Sequence, residues 1–187
     1  MPLLRVEADD AEGIARRLRE GICHLGLLYA AAEPPPPDTG ALAALEVGRD
    51  RLVPVSAPGS TGVAPRHPLP GRPGAPVHWL SLGTGTYIGR AVAAARRSRF
   101  PPHHLRTVAE NGLAAALRTL ALEGAGLAWL PESLVAGDLA AGRLVRAGDA
   151  VWDVPLALRV VRSTAPSAAA DRLFERLRES PDHPGTA

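Results

Sequence analysis

The chain has no lysine, one cysteine (Cys23) and one methionine (Met1), and each scarcity excludes something. Without lysine there is no Schiff-base nucleophile, no phosphate-loop lysine and no Tyr/Lys pair of the kind short-chain dehydrogenases use. A lone cysteine forbids an internal disulfide, in keeping with a reducing compartment. No apolar run approaches the ~20 residues that span a bilayer. The stretch from Met1 to Asp10 is acidic and strand-like rather than a basic segment followed by an apolar one, so a cytoplasmic location is expected and no membrane contact is.

What is present is the composition of an ordinary soluble domain. The 187 residues are 46% hydrophobic and 21% charged, enough to bury one core or two small lobes. All the basic residues are arginines scattered among Asp and Glu, leaving a formal net charge of +2 and no basic stripe for nucleic acid. The densest cluster, Arg96, Arg97 and Arg99, ends a predicted helix, where cations meet the negative end of the helix dipole.

Strand and helix patterns alternate along the chain. A strand is predicted over Leu3 to Glu7, a helix over Ala11 to Glu20 with Ile14 and Leu18 one turn apart, and a continuous apolar strand over His24 to Ala30, together a βαβ unit. The proline-rich stretch from Glu33 to Gly40 can be only a surface connection. A strand over Arg51 to Val55 precedes a Gly/Pro-rich stretch, Ser56 to Pro76, which reads as a long exposed loop. From Val77 the pattern resumes: a strand, a Gly/Thr turn, a helix carrying Ile88, Ala91, Val92 and Ala95, a strand over Leu105 to Glu110, and a helix with Leu113, Leu117, Leu120 and Ala121 on one face. Leu127 to Leu130 is the next strand, with Pro131 opening a short helix to about Leu139. Strands at Arg143 to Val145 and Val154 to Val161 and a helix capped by Ser167 complete a predicted α/β architecture with a mostly parallel sheet.

The most site-like segment is Ser81-Leu82-Gly83-Thr84-Gly85-Thr86-Tyr87, which joins a strand to a helix N-terminus. Amides there point outward, the helix dipole adds partial positive charge, and glycine lets a ligand approach closely, so a carboxylate or another anion fits. The competing reading is that Thr84 or Thr86 only caps the helix. Gly83, Gly85 and Gly89 also approximate a dinucleotide fingerprint, but with one residue too many between the last two. A second strand-to-helix turn, Glu110-Asn111-Gly112, would make a polar mouth if it lay beside the first, although Asn111 alone could cap the helix that follows. Cys23 and His24 point to opposite sides of a strand, and His103 and His104 have no third ligand nearby, so no catalytic residue, metal site or cofactor is predicted. Nor does any nucleophile-elbow pattern appear.

Read in order, the segments resemble a known family. Glu110-Asn111 followed by an apolar helix, then Glu123-Gly124-Ala125-Gly126-Leu127-Ala128-Trp129-Leu130-Pro131-Glu132, then Leu139 and Gly142-Arg143-Leu144-Val145, is similar to the GxGxAxLP signature of LysR-type transcriptional regulators. The Trp-Leu-Pro form is similar to the subgroup that contains a hypochlorite-responsive regulator. Upstream, Leu18-Arg19-Glu20-Gly21-Ile22 leading into the Leu25 strand resembles the family's LxxGxxDLxL segment, and Asp50 to Val55 its crossover strand.

That resemblance implies a type II periplasmic-binding-protein-like fold, two Rossmann-like lobes joined by crossover strands, with lobe I at 1–52 and 153–187 and lobe II at 53–152. It implies a small, anionic effector in the cleft between the lobes, held at Ser81, Thr84, Glu110 and Asn111 and around Trp129 to Pro131; Thr86 and Tyr87, which complete the first turn, join them as candidate effector-binding residues. The expected function is ligand sensing in a transcriptional regulator rather than catalysis, with a stand-alone solute-binding protein or a dinucleotide-binding enzyme fragment as alternatives. Homo-oligomerisation is expected, and DNA contact only through a winged helix-turn-helix that is not in this chain; the family's first strand-helix pair does not precede Leu3 either. His24 stands where the family has Asp. With Met1 the only methionine, sensing by methionine oxidation is not expected.

Overall fold

The computed structural model describes residues 4–179. It divides into two compact units, the first drawn from Met1–Arg49 and Leu156–Ala187 and the second from Asp50–Pro155.

In the first unit, α1 (Ala11–Arg19) begins where the Asp10 carboxylate accepts the Gly13 amide at 2.6 Å, and it ends before Gly21 at φ 71°, a left-handed position that suits glycine. Its apolar stripe, Ile14 and Leu18, packs with Leu28 and Val161. The helix comes so close to strand β1 (Leu25–Ala30) that a Cβ on Gly26 would lie 2.7 Å from Leu18 Cδ1. Strand β1 pairs antiparallel with β7 (Val154–Arg162), Leu25 opposite Arg162 and Ala30 opposite Ala157. Helix α5 (Ala168–Arg178) is capped by Ser167 as predicted, buries Phe174, and holds Arg162 through Asp171 at 2.6 Å.

The second unit is built on β2 (Ala43–Ser56), β5 (Leu127–Pro131), β3 (Val77–Ser81) and β4 (Leu105–Glu110), adjacent in that order, with the short β6 (Val145–Arg146) also on β2. Helices α2 (Tyr87–Ser98), α3 (Ala114–Leu122) and α4 (Glu132–Ala140) alternate with the last strands. One set of strand side chains, Val53, Val55, Leu80, Ala128 and Leu130, joins Leu117, Ala121, Val135 and Leu144 in an aliphatic core. Because successive strand residues point to opposite sides, Trp129 leaves that core and stacks on Phe100 with centroids 5.5 Å apart. Trp79 and Trp152 complete the aromatic group, so all three tryptophans of the chain meet there. Arg96 lies over the Trp79 ring at 4.3 Å, a cation–π use of a residue that otherwise reads as a simple helix-end cation.

Three sequence expectations are corrected. No strand forms over the described part of Leu3 to Glu7: residues 4–10 are irregular, Leu4 and Val6 are 82% and 80% exposed, and no βαβ unit results. A strand needs a partner, and none lies beside this segment among the described residues. The sheet is mixed rather than mostly parallel: β3 runs parallel to β4 and β5, whereas β1–β7, β2–β5 and β2–β6 are antiparallel. The chain passes from the first unit to the second along β2 and returns along β7. Finally, β2 begins at Ala43, eight residues before the predicted strand.

Helices α3 and α4 are tied by Asp138, which is 1% exposed and receives Arg118 at 2.5 and 2.9 Å and Arg143 at 2.7 Å. The Arg118 hydrogen bond, with help from Arg143, outweighs burial and holds the carboxyl below the usual carboxylate range. Asp138→Asn is expected to lower stability by about 2 kcal/mol, read as a lower Tm in calorimetry. A folded-state pKa below the unfolded one means that this contribution is complete above roughly pH 4 and is lost as pH falls through the lowered value. The difference in Tm between wild type and variant should therefore shrink on acidification below that point and persist at neutral pH.

Candidate functional site

The two turns singled out in the sequence lie side by side. Parallel pairing of β3 with β4 places Ser81 opposite Glu110, and the Asn111 amide donates to the Ser81 carbonyl at 3.0 Å. Both strands therefore end at the same level, and both chains turn into helices there. The approach is close at two further points: a Cβ on Gly83 would lie 2.8 Å from Glu110 Oε1, and one on Gly112 would lie 3.1 Å from Thr86 Cγ2. Gly83 sits at φ 70°, so its lack of a side chain answers both the turn and the Glu110 carboxylate.

Within the first turn the hydroxyls divide their work. Ser81 is buried and its Oγ accepts the Gly83 amide at 3.0 Å. Thr86 is the N-cap of α2, its Oγ1 accepting the Gly89 amide at 3.0 Å. Thr84 and Gly85 are exposed at the tip, and a Cβ on Gly85 would meet nothing within 4 Å. Tyr87 is buried as the first residue of α2, with the Arg90 guanidinium 5.9 Å from its ring centroid. Gly89 packs inside the helix, where a Cβ would lie 1.7 Å from the Gly83 carbonyl oxygen, so the spacing of these glycines is accounted for by the packing of the turn.

In the second turn Glu110 and Asn111 are exposed. Asn111 Oδ1 accepts the Leu113 amide at 2.8 Å, an Asx turn that leads into α3. Trp129 and Pro131 are in a different situation, buried in β5. The Trp129 indole N–H donates to the Trp152 carbonyl at 2.8 Å, and Pro131 pairs with Leu52 and occupies the N-cap of α4 rather than its first turn. The structure thus gathers Ser81, Thr84, Thr86, Tyr87, Glu110 and Asn111 at one end of β3 and β4, and leaves Trp129 and Pro131 buried in β5.

Sequence reading missed a polar network that joins the middle of β2 to α4, β6 and the residue before β7. Arg51 donates to both Glu132 oxygens at 2.8 and 2.7 Å and lies 3.6 Å from Asp153. Arg146 pairs with Asp153, whose backbone carbonyl takes Arg99 at 2.5 Å. Asp50 receives the Ser133 hydroxyl at 2.6 Å and its amide at 3.3 Å, supplying α4 with the cap that Pro131 cannot. The Arg51 hydrogen bond, acting against partial burial, holds Glu132 below the ordinary carboxylate range. Partners 81 and 83 residues apart leave no local signal in a sequence.

Among the described residues no group of three or more His, Cys, Asp and Glu could hold a metal ion, and no helix is long and apolar enough to cross a membrane. Residues 3–182 match the LysR substrate binding domain. The chain belongs to this family. It has the mixed α/β, type II periplasmic-binding-protein-like fold of that domain. The regulatory domain of HypT from Salmonella typhimurium is similar to it, with a TM-score of 0.79 at 24% identity, covering 95% of this chain and 83% of that one. DarR from Vibrio fischeri, solved in complex with DNA, gives a TM-score of 0.77 at 25% identity over 95% of this LysR domain, which covers 58% of the DarR chain. Full-length HypT, a hypochlorite-specific LysR-type transcriptional regulator from Salmonella typhimurium, gives a TM-score of 0.77 at 25% identity over 93% of this chain and 57% of the HypT chain. No curated protein sequence matches. The chain is thus the substrate-binding domain of the family, similar to the regulatory domains of LysR-type transcriptional regulators, and the family is one of regulators rather than of enzymes.

Removing the Thr86 hydroxyl isolates its capping role. Thr86→Ala should cost about 1 kcal/mol in chemical denaturation, and Thr86→Ser should restore most of it, because serine supplies the same acceptor.

Proposed function

We propose that this chain is the ligand-sensing part of a LysR-type transcriptional regulator and that it binds a small anionic effector at the paired turns of its second unit. The observation that carries the reading is the register of Ser81 opposite Glu110. It supports a shared mouth at the carboxyl ends of two parallel strands, the position where open α/β sheets take ligands. The N-terminal end of α2 supplies partial positive charge there. Thr84 and Gly85 are accessible at the tip, so their hydroxyl and amides are the contacts assigned to the effector, with Thr86 and Tyr87 anchoring the helix behind them. Glu110 and Asn111 form the opposite rim, and Ser81 sets the turn from beneath. Trp129 and Pro131 enter as rigid backing rather than as contacts.

In this reading residues 1–52 with 153–187 and residues 53–152 act as the two lobes of one sensor. Effector binding shifts the balance between conformations of the domain, and a winged helix-turn-helix elsewhere in a homo-oligomeric regulator reads the result on DNA. No catalytic group, metal or cofactor is assigned.

Isothermal titration against a panel of small carboxylates tests the site. At least one should bind, and Gly85→Asp should weaken that binding tenfold or more by placing a carboxylate in the mouth. That side chain has room, and an acidic residue beside a helix N-terminus is favourable, so Tm should hold within a few degrees. Failure of every carboxylate to bind the folded domain, or full binding by the variant, would overturn the assignment.

A further inference from the structure

The loop over residues 57–76 is held against the sheet at the opposite end of β3 from the paired turns, and one of its anchors is a pair of imidazoles. His67 belongs to the loop, and its amide donates to the Ser56 hydroxyl, itself fully buried, at 3.1 Å. Its Nε2 lies 2.9 Å from the Gly124 carbonyl oxygen. Its ring stacks on that of His78 in β3, with centroids 5.5 Å apart and planes 22° from parallel. On the far side His78 Nε2 lies 2.7 Å from Arg106 Nη2 of β4.

The partners fix the protons. A carbonyl can only accept, so His67 Nε2 carries a hydrogen; a guanidinium can only donate, so His78 Nε2 carries none and its proton is on Nδ1. The two rings therefore respond differently to acid. A second proton on His67 goes to Nδ1 and leaves the Gly124 bond intact. A second proton on His78 must go to Nε2, which sets N–H against N–H at hydrogen-bond distance and a cation against the Arg106 cation.

Among the described residues neither ring nor Arg106 makes an ion pair with a carboxylate. The elements packed against the pair bring Arg106 from β4, Arg66 from the loop, and the α3–β5 turn. Arg66 runs along that turn, its Nη1 2.6 Å from where a Gly124 Cβ would sit. The turn's acidic residue, Glu123, is exposed and makes no ion pair among the described residues.

We infer that His67, His78 and Arg106 form a pH-sensitive latch that holds the 57–76 loop on the sheet while His78 is neutral and loosens it when His78 takes a second proton. Within residues 57–66 the loop is closed on itself, the Arg66 amide donating to the Ala57 carbonyl at 2.9 Å and the Gly59 amide to the Ala64 carbonyl at 2.7 Å, and later in the loop the Leu69 amide donates to the Ala147 carbonyl at 2.7 Å and the His104 amide to the Pro70 carbonyl at 2.9 Å. Loosening is therefore confined to residues 57–68 and leaves 69–76 in place.

Hydrogen exchange, corrected for the intrinsic pH dependence of amide exchange, reads the latch directly. Protection over residues 57–68 should fall severalfold between pH 7.5 and 5.5, while that over 69–76 holds. His78→Phe keeps a stacking ring that cannot be protonated, and it should abolish the pH response. Unchanged protection in the wild type, or an equal loss in the variant, overturns the latch. Long-range 1H–15N spectra of the wild-type rings give a measurement that needs no variant: at pH 7.5 His78 should show its proton on Nδ1, and a proton on Nε2 overturns the proposal.

Discussion

The parallel pairing of β3 with β4 is the constraint on which the rest of the candidate site depends, because it decides that two turns 29 positions apart in sequence finish at the same level. With Ser81 opposite Glu110 the turns approach closely, and Gly83 at φ 70° supplies the left-handed backbone that the first turn needs. The left-handed backbone at Gly83 then bends the chain so that Thr86 reaches the Gly89 amide and opens α2. A one-residue slip in that register would separate the turns and send the alternating side chains of β3 to the wrong sides of the sheet.

Strand β3 is also held to β5 by packing on both sides. Leu80 and Ala128 belong to the aliphatic core, while Trp79 and Trp129 meet in the aromatic group, so neighbouring residues on each strand are held from opposite sides. Such aromatic pairs add about 0.5 to 1.5 kcal/mol beyond the area they bury. The indole N–H of Trp129 is satisfied by the Trp152 carbonyl, so a large polar-tipped side chain sits in the core without an unmet donor. Around this centre the charged residues act as ties between elements: Asp138 joins α3 to the segment after α4, Asp50 and Arg51 of β2 reach Ser133 and Glu132 of α4, and Asp153 pairs with Arg146 of β6. A domain with arginine as its only strong cation suits this role, since the planar guanidinium bonds a carboxylate through two donors at once, as Arg51 does to Glu132.

The helices were legible in the sequence wherever an apolar stripe coincided with a cap. Asp10, Thr86 and Ser167 each precede such a stripe, and α1, α2 and α5 begin where they stand. Both turns of the candidate site were legible for a related reason: glycine and threonine between an apolar strand and an apolar helix describe a strand-to-helix turn with little ambiguity. The strand predicted at Leu3 to Glu7 shows the limit of that reading. Its local pattern is strand-like, but strand formation depends on hydrogen bonds to a neighbour, and pattern cannot say whether one is present.

By itself, then, the sequence determined the α/β class, the position of most elements, the family, and the location of two strand-to-helix turns, because periodicity, caps and glycine placement all act over a few residues. Only the tertiary structure decided that the turns are neighbours, that Trp129 is core, that the sheet is mixed, and that Arg51, Glu132 and Asp153 converge. Each of those outcomes is a contact between residues tens of positions apart, set by how strands pair and side chains fill space, and no property of the separate segments contains it.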